Sequence, residues 1–352
     1  MAATLALSLG GLRLKNPIIC ASGEHVISEA GVRAALRAGA SVVVAKSTNE
    51  SEAARAQLGQ TDYSAFDREW TRQPWQGAGS SSILCRSGLQ PRGAEEWLDA
   101  VARLDLEARD TDAYVAASLI LADLDHAVRL ARHAEKSGVR LLEFNVGTPY
   151  GDEAKHGGVA TERSVERLRA QVAAVCAAVD IPVWVKLTGQ SENVALLAAA
   201  ARDGGAAAVV MIGRFLGMLP DLETQAPVLG TNLGYGGPWA LPLTCYWLAR
   251  TRRSLGPAFP LIGTNGARSG ADAARMLLAG ASAVEYCSAV MTGGFEVLTR
   301  AIADLDAYVT RKGGTARDLV GRAADQVAGY ESMASREDFW QGFVPQETLA
   351  PS

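Results

Sequence analysis

The chain has 352 residues, room for one barrel-sized domain, and a formal charge of −4 with scattered basic residues, so it lacks the electrostatic footprint of a nucleic-acid or membrane-surface protein. No run approaches the roughly 18 apolar residues that span a bilayer, and MAATLALSLGGLRLKNP lacks a basic leader with a cleavage pattern; a cytoplasmic protein acting on a small molecule is expected. Cys20, Cys85, Cys176, Cys245 and Cys287 stand far apart with no CxxC pair, which argues against a disulfide framework, an iron–sulfur cluster or a metal site.

Along the chain, short β-rich runs alternate with Ala/Leu/Arg-rich stretches of helical spacing. NPIICAS (16–22) predicts a first strand, and its small residues Ala21, Ser22 and Gly23 leave room for a flat ring against the backbone. His25 just beyond fits a loop histidine as well as a catalytic one. After a helix at 28–38, SVVVAKS (41–47) predicts a second strand ending at Lys46 and Ser47. Residues 48–92 exceed ordinary loop length, and SSSILCRSGLQP there sets Cys85, Arg86 and Ser87 ahead of a helix at 93–106. A buried structural thiol and a reactive thiol beside arginine are both open readings of Cys85.

The next strands are AYVAASL (113–119), LLEFNV (141–146), PVWVKL (182–187) and AAVVMIG (207–213), separated by helices at 123–137, 162–179 and 191–204. A second long segment, 214–238, leads to a helix at 239–255. PLIGTN (260–265), a helix at 269–279, SAVEYCS (282–288) and a closing helix near 294–311 finish the pattern.

Eight strands with eight helices fit an α/β fold, a (β/α)8 TIM barrel over residues 1–311 with long loops at its C-terminal face. Residues 312–352 read as a C-terminal helical hairpin and tail packed on the barrel. Both long segments follow strand C-termini, the face on which barrel enzymes carry their sites. A lysine closing an apolar strand aims its ammonium at that mouth or snorkels to solvent. Two of them, Lys46 and Lys186, suggest an electron-rich or anionic cofactor. The turn with Gly263 and Gly266 and the strand end Cys287-Ser288 occupy the usual phosphate position of such barrels, and Gly236-Gly237 adds backbone donors.

GLRLKNPIICASG, VAKS, EFNVGTP, PVWVKL, GYGGPWALP and IGTNGARSGADAARMLLAGASAVEYCSA, collinear over about residues 8–310, resemble the dihydroorotate dehydrogenase family. The likeness is to the soluble class 1 enzymes and the related barrel domain of dihydropyrimidine dehydrogenases. The resemblance implies an FMN at the barrel mouth. It sets Ala21, Ser22, Lys46, Ser47, Asn145 and Lys186 against the isoalloxazine or ribityl, and Gly237, Gly266, Cys287 and Ser288 around the phosphate. A homodimer is implied in the same way.

The proton-handling Cys or Ser of that family aligns with Thr148, whose hydroxyl is a much poorer base and needs a relay. Cys85 is the reserve candidate, and Lys46 assists from the substrate side. The asparagines that grip orotate align with Tyr150, Cys85, and Val210 or Met211, so of that set Asn145 alone persists. Lost hydrogen bonds to a polar ring cost orders of magnitude in specificity.

The expectation is therefore an FMN-dependent oxidoreductase that moves hydride between flavin N5 and a C–C or C–N bond of a small cyclic substrate other than dihydroorotate. Asn145, Tyr150, Cys85 and Met211 are its expected substrate contacts. Electrons would pass to a partner protein, a nicotinamide or a diffusible acceptor. The alternatives are a phosphate-binding lyase or aldolase with a Lys186 Schiff base, and a flavin-binding protein without dehydrogenase activity.

Overall fold

The computed structural model describes residues 5–79, 81–147 and 164–349. The chain opens with an antiparallel hairpin of β1 (Leu7–Leu9) and β2 (Leu12–Leu14), whose Leu9 and Leu14 are buried. Its turn residue Gly10 lies at φ +54, where a Cβ would stand 2.8 Å from the Ala207 carbonyl oxygen. The hairpin thus seals the barrel end opposite the site, and only glycine fits its closest approach.

β3 (Ile18–Cys20) and β4 (Val42–Val44) start the barrel; the chain then leaves it for β5 (Asp62–Phe66), β6 (Arg72–Gln73) and β7 (Ser82–Arg86). It returns with β8 (Tyr114–Ile120), β9 (Leu142–Asn145), β10 (Val183–Lys186) and β11 (Ala208–Met211). A second excursion holds β12 (Phe215–Gly217) and β13 (Leu233–Gly236), before β14 (Leu261–Gly263) and β15 (Ala283–Tyr286). The parallel order β3-β4-β8-β9-β10-β11-β14-β15 is closed, so the expected (β/α)8 barrel is the fold. Strands such as Val42–Val44 and Ala208–Met211 are buried at every residue, as a parallel sheet covered on both faces requires.

Helices at Glu29–Arg37, Ala94–Ala108, Leu124–Ser137, Val165–Cys176, Val194–Asp203, Leu241–Leu255, Gly270–Leu278 and Glu296–Lys312 cover the strands, each close to its predicted span. Their starts carry side-chain caps where the sequence supplies one: Ser28, Asp123, Ser164 and Asn193 each accept a backbone N–H, and Ser269 with Asp272 forms a capping box. Among the described residues no helix is long and apolar enough to cross a membrane.

Two features differ from the sequence reading. The segments 48–92 and 214–238 are not merely loops: they pair as one antiparallel sheet in the order β12-β13-β7-β5-β6. Their strands are two to five residues long, below what alternation reveals. Past the barrel the described residues form no helical hairpin. Ala316–Leu319 is a single helical turn, and the Gly321 and Ala323 N–H groups bond the Leu277 and Leu278 carbonyls. Residues 327–349 follow as short turns with no buried residue.

Candidate active site

β5, β7, β12 and β13 all lie in connections that leave strand C-termini, so their sheet walls the C-terminal mouth. Between sheet and barrel lies a cavity open to solvent.

Most of the predicted positions meet there. Ala21 and Ser22 follow β3, Lys46 and Ser47 follow β4, and Asn145 and Lys186 end β9 and β10; all six line the cavity. Gly237, Gly266, Cys287 and Ser288 line it as well, and all but Cys287 also border a small adjoining recess with Arg268 and Thr292. Cys85 faces the cavity from β7, its Sγ 3.6 Å from Arg214 Nη1. Thr148 and Tyr150 lie outside the described residues.

Met211 stands apart. It is wholly buried in the hydrophobic core and does not line the cavity, so the structure removes it from the predicted substrate contacts. Strand pairing with β14 on one edge and β10 on the other leaves it in the barrel wall. His25 does not line the cavity either; burial and Lys46 lower its pKa to about 4, so it is neutral at pH 7.

The hydrogen bonding explains how each group is held. Trp97 Nε1 donates to the Lys46 carbonyl at 2.9 Å, fixing the strand end. Asn145 Oδ1 accepts the Gly147 N–H at 3.0 Å, which fixes the side chain at the end of β9. Gly237 gives its N–H to Asn265 Oδ1 at 3.2 Å, so its part in any phosphate cradle is close backbone approach at φ +138. Cys287 bonds the Ser22 carbonyl through Sγ, and burial together with Glu24 pushes its thiol up to about 12. That thiol stays protonated and chemically quiet.

Beneath the cavity sits an arrangement the sequence reading missed. Lys186 Nζ lies 2.6 Å from Glu285 Oε2 and 3.2 Å from Glu143 Oε2, and both carboxylate side chains are fully buried. β10 and β15 are not neighbours in the sheet, so this contact crosses the barrel interior. Ser22 Oγ, Ser47 Oγ and Ser118 Oγ continue the network at 3.0 and 2.8 Å, and Ser118 donates to Glu143 Oε1 at 3.2 Å. A glutamate inside a strand named LLEFNV or SAVEYCS carries no local sign of its partner. Its burial in an apolar run was the available clue.

Burial opposes charge on Lys186, but Glu143 and Glu285 outweigh it and keep the ammonium protonated. Burial raises Glu143 to about 8 against its ordinary 4.5. The folded protein therefore holds a proton that the unfolded chain gives up above about 4.5. This contribution to stability is complete below that value and is lost as pH rises toward 8, with a slope of at most about 1.4 kcal/mol per pH unit for one proton. Glu143→Gln should flatten the pH dependence of the cofactor-free protein's Tm across this window; an unchanged slope counts against the assignment.

The residues fit FMN on the chemistry of their donors. Two ammonium-bearing strand ends line the cavity, suited to an electron-rich ring edge, and an adjoining recess with two positive-φ glycines, Arg268 and Ser288 is suited to a phosphate. Parallel barrel, walled mouth and cavity together define a (β/α)8 barrel protein with a cofactor-sized site at its C-terminal mouth.

Comparison with known proteins gives the family. The chain belongs to the dihydroorotate dehydrogenase family, whose profile matches residues 4–309. It is 30% identical over 287 residues to the dihydroorotate dehydrogenase A (fumarate) of Limosilactobacillus reuteri, covering 81% of this chain and 87% of that one. It is 31% identical over 323 residues to the catalytic subunit of the dihydroorotate dehydrogenase B (NAD(+)) of Methanocella arvoryzae, covering 91% and 97%. The dihydroorotate dehydrogenase A (fumarate) of Lactiplantibacillus plantarum is 31% identical over 315 residues, covering 88% and 95%. The protein is accordingly an FMN-dependent oxidoreductase of the CH–CH type.

Proposed function

We propose that the protein oxidises or reduces a C–C or C–N bond of a small cyclic molecule other than dihydroorotate, the substrate lying flat in the cavity between the barrel mouth and the β5–β7 sheet. Bound FMN supplies the hydride acceptor or donor at N5. Lys186 would hold a fixed cation near the flavin ring edge that gains negative charge on reduction, and Lys46 would do so from the substrate side. Asn145, Cys85 and Tyr150 contact substrate. Thr148 or Cys85 handles the proton, the threonine through a relay because its hydroxyl is a weak base.

The observation that carries this reading is the meeting of Lys46, Asn145, Lys186 and Gly266 around one cavity, with the thiol-bearing residue Cys85 where the family resemblance places an orotate-binding amide. The ion pairs on Lys186 also weigh against the lyase alternative. A Schiff base needs a neutral amine, and two buried carboxylates oppose its deprotonation. We read the working form as a cytoplasmic homodimer that exchanges electrons with a partner, a nicotinamide or a diffusible acceptor.

Anaerobic mixing of the flavoprotein with dihydropyrimidines, cyclic imides and heteroaromatic acids tests the reading: at least one should bleach the flavin, and dihydroorotate should do so slowly or not at all. With the active compound, at least one of Thr148→Ala and Cys85→Ala should slow flavin reduction by about 10²-fold or more while FMN stays bound. Full rates in both variants would remove both residues from proton transfer.

A further inference from the structure

Glu24 was not singled out by its sequence, yet its carboxylate lines the cavity. It sits in the turn after β3, with its side chain 19% exposed. Oε1 accepts from Lys46 Nζ at 3.0 Å and from the Gly88 N–H at 3.2 Å, while Oε2 accepts from the Tyr63 hydroxyl. An ammonium beside a backbone N–H is the arrangement a carboxylated ligand would use. Here a carboxylate of the protein already occupies it.

A carboxylate offers about four acceptor directions, and three of Glu24's are filled within the protein. That count leaves one acceptor direction on a carboxylate that lines the cavity. Burial alone would raise the Glu24 pKa, but Lys46, Tyr63 and Gly88 outweigh it and hold the group below its ordinary value, so it is anionic at neutral pH. Next to Gly88 in the chain, Ser87 Oγ accepts from Arg214 Nη1 at 2.6 Å, and both residues line the same cavity. The acceptor Glu24 and the donor Arg214 thus line one cavity, each held by one of two successive residues, Gly88 and Ser87.

We propose that Glu24 determines specificity by taking the place of a ligand carboxylate, so that the substrate is a ring whose –NH–C(=O)– edge gives its N–H to Glu24 and its carbonyl to the Arg214 side. This rests on the flavin oxidoreductase reading and narrows it to uncharged lactams and imides. A ring bearing a carboxylate at that edge meets a like charge at close range in a partly desolvated site, which costs more than a factor of ten in affinity. Glu24 is too acidic to act as the proton donor at neutral pH, and its role is selection.

The test uses the FMN-loaded protein and two pairs of probes, uracil with orotate and 2-pyridone with its 6-carboxylate, titrated by flavin absorbance and by equilibrium dialysis. The neutral member of each pair should bind at least tenfold more tightly. In Glu24→Gln the Lys46 charge loses its partner, and the ratio should move at least tenfold toward the carboxylated member. Equal or tighter binding of the carboxylates by the unmodified protein, seated on Arg214, overturns the proposal. So does an unchanged ratio in a Glu24→Gln protein that melts normally; if that variant does not fold, the ratio in the unmodified protein decides. A protein that takes up no FMN overturns the function reading and this inference with it, whereas a flavoprotein favouring the carboxylates overturns this inference alone.

Discussion

Lys186→Met should destabilise the protein by about 3–5 kcal/mol near neutral pH and abolish tight FMN binding. Lys186 is the cation between Glu143 and Glu285, two fully buried carboxylates. Removing one partner of a buried ion pair leaves the others uncompensated, and that costs far more than the pair contributes when intact. Denaturant unfolding of the cofactor-free variant reads the stability and a flavin titration reads the binding. The loss should grow as pH rises past about 8, where the ammonium lets Glu143 ionise in the parent protein and nothing does so in the variant. Adding Glu285→Gln to Lys186→Met should restore part of the stability and none of the flavin binding. If the single variant unfolds like the parent at neutral pH, the buried ion pair does not have the energetic role assigned to it.

Gly266→Ala should lower FMN affinity by about 10²-fold or more and cost about 1–3 kcal/mol of stability. Gly266 lies at φ +107, and a Cβ built there stands 2.6 Å from the Leu241 N and 2.7 Å from its Cα. Neither atom is the end of a flexible side chain, so the turn itself must shift, and with it the recess between Gly237 and Ser288. Gly138 serves as the control: it lies at φ +103 with nothing within 4 Å of its Cβ position. Gly138→Ala should cost about 1 kcal/mol through backbone strain alone and leave FMN affinity unchanged. Equal flavin affinity in the two variants would disconnect the Gly266 turn from the cofactor.

The barrel was legible because its signals are local. Runs such as SVVVAKS and PVWVKL are short, β-branched and flanked by helical spacing, and each folds as the strand its pattern indicates. The lysines that end them were legible as site residues because an ammonium closing an apolar strand must face the mouth or solvent. Cys85 and Met211 had equal standing as substrate contacts, and the structure separates them: Cys85 faces the cavity from β7, while Met211 is packed into the barrel wall. Alternation cannot make that distinction in a strand buried on both faces.

The sequence by itself determined the parallel barrel, its direction, the two strand-end lysines and the glycine turns, since these follow from periodicity, polarity and backbone freedom within a few residues. Only the tertiary structure decided which charges meet. Glu143 and Glu285 lie far apart in the chain and come to one lysine because a closed barrel turns strand residues toward a shared interior. Glu24, Lys46, Tyr63 and Gly88 belong to a turn, a strand end, an excursion strand and the segment after β7, and they converge because the excursions fold over the mouth as one sheet. Electrostatic interaction falls with distance in space and not in sequence, so the charge balance of the cavity became visible with the fold.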